Sequence, residues 1–281
     1  MTIIGAALQA AYRRLAGCDS AGLDAQVLLA YALDAERVYL LANGTIELTG
    51  EQQRCYAELI NRRAAGEPVA YIIGSKSFYD LELAVTPEVL IPRPETELLL
   101  EEALRLAALT PVCHAADIGT GSGALAVTFA KHMPGSQVYA TDISEMALRI
   151  ARKNAKRHGV CIEFLQGDLA QPLVERGVSV DLLMANLPYI ATEELDGLAV
   201  SKYEPAIALD GGDDGLACIR RMLGQLPQLC REGAWVLLEI GADQADKARR
   251  LVGETLNAPC DVLQDYAGLD RIVRFQIGAG V

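Results

Sequence analysis

The sequence predicts an α/β protein: a seven-stranded, mostly parallel sheet with its last strand antiparallel, behind a small N-terminal helical domain. Three observations carry this. The hydrophobic period is helical up to about residue 75 and then changes. Past residue 111, apolar runs of strand type alternate with helical ones, the pattern of strands joined by crossover helices. The last two strands are separated by little more than Tyr266-Ala267-Gly268-Leu269. That is too short for a crossover, so the final strand must reverse.

Taken in order, residues 1–75 form the first domain. Ile4, Ala7, Leu8, Ala11 and Leu15 lie at helical spacing, as do Ala25, Leu28, Leu29 and Ala32 after Ser20-Ala21-Gly22. A third pattern runs through Cys55, Leu59 and Ile60 to Arg62-Arg63, with Gly66 as a stop. Few β-branched residues occur here, consistent with a small bundle. Residues 76–92 predict a hairpin linker. Phe78, Leu81, Leu83 and Val85 form one irregular strand that turns at Thr86-Pro87-Glu88 into Val89-Leu90-Ile91. Arg93-Pro94-Glu95-Thr96-Glu97 then starts a helix, with Pro at its first position and acids in its first turn.

The third domain, 93–281, holds strands near 112–118, 136–142, 160–165, 180–186, 233–240, 259–264 and 270–277, with helices near 122–132 and 144–157. The first five strands, joined by helices, imply right-handed crossovers and a parallel sheet.

Composition narrows the functions available. At 281 residues, 51% hydrophobic and 22% charged, the chain has the make-up of a soluble globular protein. No apolar run approaches the ~18 residues of a membrane span. Met1–Leu15 lacks the basic start and apolar core of a secretory signal. Seven scattered cysteines without a C-x-x-C pair read as reduced thiols of a cytoplasmic protein. His114, His132 and His158 make no metal-ligand spacing, so no metal site is predicted. The net charge of −12 argues against nucleic acid as the main substrate. The stripe Arg149, Arg152, Lys153, Lys156 and Arg157 reads as the solvated face of an amphipathic helix.

Two motifs carry chemistry. In the first, the strand Val112–Ile118 runs into Gly119-Thr120-Gly121-Ser122-Gly123 and then an apolar helix. Strand, glycine turn and helix cradle a nucleotide: glycines let the backbone approach, and helix N–H groups face the ligand. Asp142 ends the next strand, about 20 residues on, where a carboxylate takes both hydroxyls of a ribose. Gly119-x-Gly121-x-x-Ala124 also fits a dinucleotide fingerprint, so NAD stays open at this point. Against it, Asp117 directly precedes the turn, placed for a cationic amino acid moiety. The tight Gly-x-Gly-x-Gly spacing is also similar to the first motif of S-adenosylmethionine methyltransferases.

In the second, the apolar run Leu182–Ala185 ends in Asn186-Leu187-Pro188-Tyr189. Asn186 would stand at the carboxyl end of a buried strand, where open α/β sheets bind ligands. Its carboxamide oxygen beside a backbone carbonyl makes two acceptors suited to a planar NH2 group. Pro188 stiffens the turn and Tyr189 offers a flat ring. The same four residues also read as an ordinary Asn/Pro turn.

The chain as a whole resembles the release-factor glutamine methyltransferases. The matching stretches are Leu23–Leu29, Arg62–Gly74, Val89–Glu97, Asp117–Gly123, Tyr203-Glu204-Pro205 and Asp210–Gly215. The resemblance implies the class I, Rossmann-like methyltransferase fold and S-adenosylmethionine as cofactor. It also implies peptide chain release factors as partners, methylated on the glutamine of a Gly-Gly-Gln motif. The residues expected to hold the cofactor are Asp117, Gly119, Thr120, Gly121, Ser122, Gly123, Asp142, Asp168, Leu169 and Asn186. Leu169 stands where the family can have an aromatic residue and implies aliphatic packing on the adenine. Substrate binding and catalysis fall to Asn186, Leu187, Pro188 and Tyr189.

The family usually has Asn-Pro-Pro-Tyr, and Leu187 replaces the first Pro. The carbonyl acceptor is retained, but a less rigid turn is expected. Asn-Leu-Pro-Tyr also occurs in ribosomal RNA adenine dimethyltransferases, so an adenine amino group in RNA or DNA is the alternative target. Residues 1–75 carry 6 basic and 8 acidic side chains against 19 and 29 in the remainder. This nearly neutral module without catalytic residues is expected to recognise the protein substrate.

Overall fold

Alanine and leucine at helical spacing build the first of two compact units, which part between Ser75 and Lys76. The computed structural model describes residues 2–278. The first unit is α1 (Ile4–Arg14), α2 (Ala21–Leu33), α3 (Arg37–Ala42), α4 (Gly50–Ala64) and α5 (Val69–Ile73). Ile4, Leu15, Leu28, Leu29 and Leu40 are fully buried in its core. A capping box starts α4: Gln52 N–H donates to Thr49 Oγ1, and Thr49 N–H to Gln52 Oε1. Buried Asp24 of α2 accepts from Arg63 Nε of α4 at 2.7 Å, pinning the two helices together. The sequence pattern did not mark the short α3, because Val38 and Leu41 are exposed and leave it no apolar period.

The linker differs from expectation. Its two strands are β1 (Ser75–Phe78) and β2 (Leu81–Ala84), reversing at Tyr79-Asp80. Tyr79 adopts φ 55°, which turns the chain inside the strand expected to run on to Val85. Thr86–Val89 forms a second turn, closed by Val89 N–H to the Thr86 carbonyl at 3.1 Å, and Val89–Ile91 joins no sheet. Pro87 and Pro92 flank that segment and lack the N–H groups a ladder requires.

The second unit continues with α6 (Pro94–Leu109), β3 (His114–Ile118), α7 (Ala124–His132), β4 (Gln137–Asp142), α8 (Glu145–His158) and β5 (Ile162–Gln166). Then come α9 (Gln171–Glu175), β6 (Val180–Ala185), α10 (Thr192–Leu195), α11 (Ala217–Leu223) and α12 (Leu226–Leu229). It ends with β7 (Cys230–Glu239), α13 (Ala245–Leu256), β8 (Cys260–Gln264) and β9 (Asp270–Gln276). Strand order is β5-β4-β3-β6-β7-β9-β8. Neighbours from β5 to β7 pair in parallel, and β9 runs antiparallel between β7 and β8. The seven-stranded sheet with its reversed last strand is as the sequence predicts.

Both faces of the sheet are covered, so successive strand residues feed different cores. Ala116, Ile118, Leu183, Ala185, Val236 and Leu238 enter one; Ala115, Leu182, Met184 and Leu237 enter the other. Chain order reverses between β3 and β6, which makes their carboxyl ends the switch point where ligands bind in such sheets. Both predicted motifs end there.

Candidate active site

Backbone atoms make one side of the site. Gly119 and Thr120 N–H both donate to the Thr141 carbonyl at 2.9 Å, tying the glycine turn to β4. Gly121 N–H donates to Asp142 Oδ2 at 2.8 Å. Gly121 has φ 55°, and a Cβ added there would meet open space. Here the bare backbone faces the cavity. Gly123 differs: its Cβ would lie 3.1 Å from Ala151 and Val127, so the residue closes α7 against α8. Gly123 does not line the cavity, and its close approach to Ala151 and Val127 gives it a packing role.

The cavity measures about 380 Å³. Its lining includes Asp117, Gly119, Thr120, Gly121, Ser122, Asp142, Asp168, Leu169, Asn186, Leu187 and Pro188. Asp117, at the end of β3, is 1% exposed. Its Oδ2 accepts from Thr120 Oγ1 at 2.6 Å and from Ala126 N–H at 3.1 Å. Its Oδ1 is buried with no partner among the described residues. Burial pushes the carboxyl up to about 7, helped by the Asp142 charge and opposed by those hydrogen bonds. Burial also raises Asp142, against the Ser144 and Gly121 N–H groups it accepts.

This donor set fits S-adenosylmethionine. An orphaned carboxylate oxygen suits an ammonium group, and Asp142 with its orientation fixed suits ribose hydroxyls. Leu169, held at φ 50°, presents an apolar side chain to a base. Asp168 lines the same end and is ion-paired with Arg221 of α11.

Acceptor atoms make the other side. Asn186 follows β6 directly, and its Nδ2 donates to Thr96 Oγ1 at 2.9 Å. The amide is thereby oriented, leaving Oδ1 as an acceptor with no partner among the described residues, on a side chain that lines the cavity. The Leu187 carbonyl likewise accepts no hydrogen bond among the described residues. The Leu187 side chain is buried at 3% exposure, and a Cβ on Gly119 would lie 3.0 Å from its Cδ2. The glycine turn thus leaves room for the leucine.

Tyr189 departs from expectation. It does not line the cavity; its hydroxyl instead donates to Glu239 Oε1 at 3.3 Å. Burial and the adjacent Glu239 charge raise this phenol above its ordinary range. The turn is also held from outside. Ile190 N–H donates to the Leu209 carbonyl at 3.1 Å and Gly211 N–H to the Ile190 carbonyl at 2.8 Å. Gln244 Nε2 donates to the Tyr189 carbonyl at 2.8 Å. At Gly215 a Cβ would come within 2.4 Å of that carbonyl, so the Asp210–Gly215 stretch must be bare there. The turn that lacks the first Pro is thus held by this clamp.

Sequence reasoning missed four residues. Glu204 is buried, accepts from Ile91 N–H at 3.1 Å and pairs with Arg93 at 2.5 Å. The pair fixes the segment around Pro92 and Arg93, which lines the cavity. Thr96 lines the cavity beside Asn186, and Glu239 stands behind Tyr189. The one local signal for Glu239 was a carboxylate ending the apolar run Val236-Leu237-Leu238.

Residues 6–74 match the family model for the PrmC N-terminal domain, and residues 115–201 match one for a methyltransferase domain. The chain is 44% identical over 273 residues to the release factor glutamine methyltransferase of Moorella thermoacetica, spanning 94% of this chain and 95% of that one. It is 40% identical over 267 residues to that of Geobacter sulfurreducens, covering 93% and 92%. Among solved structures, the human Mettl16 catalytic domain in complex with the MAT2A 3′UTR hairpin 6 shares the fold at 15% identity, with a TM-score of 0.55. That match covers 80% of this chain and 84% of the other. The Thermus thermophilus 16S rRNA N2 G1207 methyltransferase in complex with AdoMet and guanosine does so at 17% identity and TM-score 0.53, covering 72% and 49%. With 40–44% identity over more than nine-tenths of its length, the chain belongs to the release factor glutamine methyltransferase family.

Proposed function

We propose that the protein transfers a methyl group to the side-chain amide nitrogen of the glutamine in the Gly-Gly-Gln motif of peptide chain release factors. The observation that carries this reading is the fixed amide of Asn186, with Nδ2 spent on Thr96 and Oδ1 free. Asp117 would hold the ammonium of S-adenosylmethionine, Asp142 its ribose, and Leu169 its adenine. When bound, that group supplies an electrophilic methyl on a sulfonium.

The remaining work belongs to the chain. An amide nitrogen is a weak nucleophile because its lone pair is delocalised into the carbonyl. Asn186 Oδ1 and the Leu187 carbonyl accept its two N–H bonds and fix the nitrogen's direction. Orientation of this kind contributes up to about 7–11 kcal/mol in well-aligned systems. The nitrogen sheds a proton after it gains the methyl, so no strong base is needed beside it. Pro188 keeps the two acceptors in place, and the Glu204–Arg93 pair holds the segment opposite.

A glutamine on a protein loop also needs a docking surface, which we assign to residues 1–75. The seven cysteines, none paired, suit a cytoplasmic enzyme. The test is label transfer from S-adenosylmethionine to an intact release factor, to the same factor with its Gly-Gly-Gln glutamine changed to alanine, and to RNA and DNA. Label on the intact factor alone is expected. Label preferring nucleic acid adenine would refute the glutamine reading. Deleting residues 1–75 should preserve S-adenosylhomocysteine binding and abolish transfer; transfer at the full-length rate would withdraw the docking role.

A further inference from the structure

Glu239 is a carboxylate at 1% exposure, ending β7 with one oxygen unsatisfied among the described residues. Burying such a group costs several kcal/mol unless it is compensated. It does not line the cavity. Its contacts lead there instead. The Tyr189 hydroxyl donates to Oε1 at 3.3 Å. The Thr96 hydroxyl favours the charged form of the same carboxylate. Thr96 Oγ1 in turn accepts from Asn186 Nδ2 at 2.9 Å.

We infer that Glu239 is a positioning residue for methyl transfer, setting through Thr96 which end of the Asn186 amide faces the acceptor. The inference rests on the reading of Asn186 as the group that holds the acceptor amide. Direction follows from counting protons. An ionised carboxylate only accepts. Thr96 has one proton; turned towards Glu239, it leaves Oγ1 able only to accept. The amide must then present Nδ2 to Thr96 and Oδ1 to the cavity. If Glu239 carried a donor, the Thr96 proton would be freed to face Asn186. The amide could then rotate and offer NH2 to an acceptor that itself brings NH2. Through Tyr189, the same carboxylate holds the far end of the turn.

The near-isosteric Glu239→Gln introduces that donor, and Thr96→Val removes the link. Each is expected to lower kcat about 100-fold, the scale of a misplaced reacting group. KM for the release factor and the affinity for S-adenosylhomocysteine should stay within about threefold, which separates positioning from binding. The double variant should be no slower than the slower single one. A pH profile at saturating cofactor adds a readout that mere packing would not move. Burial places Glu239 at about 7, so wild-type kcat should fall towards that of Glu239→Gln below that pH, while the variant's stays level. The charged and titratable groups around Glu239 are Tyr189, Glu95 and Arg271, with Arg93 facing Tyr189.

Wild-type kcat in Glu239→Gln would overturn the inference. So would a parallel loss of cofactor affinity. Should Glu239→Gln not fold, Thr96→Val decides alone, and a wild-type rate there is equally fatal. Asn186→Ala run alongside keeps the two ideas apart. A fully active Asn186→Ala removes the acceptor reading itself, whereas an inactive one beside an active Glu239→Gln removes only the positioning role.

Discussion

Asp117 and Glu239 sit at the carboxyl ends of β3 and β7 in nearly the same physical state. Each is about 1% exposed, each keeps one oxygen unpartnered among the described residues, and each is pushed by burial to about 7. They differ in what lies in front of them. Asp117 lines the cavity, so its unsatisfied oxygen is available to a cation. Glu239 is screened by Thr96 and Tyr189, so its charge reaches the site only as the orientation of other groups. Similar electrostatics thus serve binding at one strand end and geometry at the other.

The sharpest test of that division is Asn186→Ala, which removes the oriented acceptor. A fall in transfer rate of about 10²- to 10⁴-fold is expected, with S-adenosylhomocysteine affinity largely unchanged in calorimetry. An equal loss of both would erase the boundary between the two halves. Asp117→Asn should do the reverse. Losing a charge-assisted contact of about 1.5–3 kcal/mol predicts roughly 10- to 100-fold weaker binding of S-adenosylhomocysteine. Asp142→Ala should weaken the same step by a similar factor.

The pH dependence of binding sharpens the contrast further. Only ionised Asp117 attracts an ammonium, and its pKa in the free protein is about 7. Affinity for S-adenosylhomocysteine should rise about tenfold per unit as pH climbs towards 7 and then level off. Calorimetry in buffers of different ionisation enthalpy should register proton release near neutrality, absent in Asp117→Asn. A flat profile in the wild type would mean that Asp117 is not the ammonium partner.

The smallest effect is on folding. A carboxyl raised from 3.8 to about 7 favours its neutral form in the folded state. Its contribution to stability is therefore complete below the unfolded pKa and is lost as pH rises through 7. For Asp117, moving the ligand-free protein from pH 8 to pH 6 should add about 1.4 kcal/mol. The comparison to make is with Asp117→Asn in urea titrations, where that increment should vanish.

Much of the site was legible because it is made from local chain. Strand, glycine turn and helix are contiguous, and Asn186 ends an apolar strand, so each motif shows its own backbone geometry. The clamp and the carboxylate behind it were not legible. Thr96 lies 90 residues from Asn186, and Glu239 lies 50 from Tyr189. Each has a sufficient local account, as a helix first turn and a strand end, and only the sheet order brings them together. The linker was misread because a single left-handed residue, Tyr79, reversed a strand that its apolar pattern would have continued. The partner of the Tyr189 hydroxyl was not legible either. A ring's direction depends on what its hydroxyl can reach, which no spacing records.

Between Ile190 and Asp210 the chain makes an excursion through α10 and two short 3₁₀ turns, then returns beside its starting point in parallel pairing. Both ends are stapled by backbone hydrogen bonds, and Gln244 anchors the acceptor turn separately from β7's side. Pro205 to Ala208, within the excursion, contribute to the cavity wall. The wall is therefore built as a module on a fixed mount. Within it Glu204 is tied to the opposite wall, through Ile91 and Arg93, so exchange of Ala206, Ile207 or Ala208 should reshape the wall while the two acceptor atoms keep their position. Change in acceptor preference has in this segment a route that leaves the chemistry untouched.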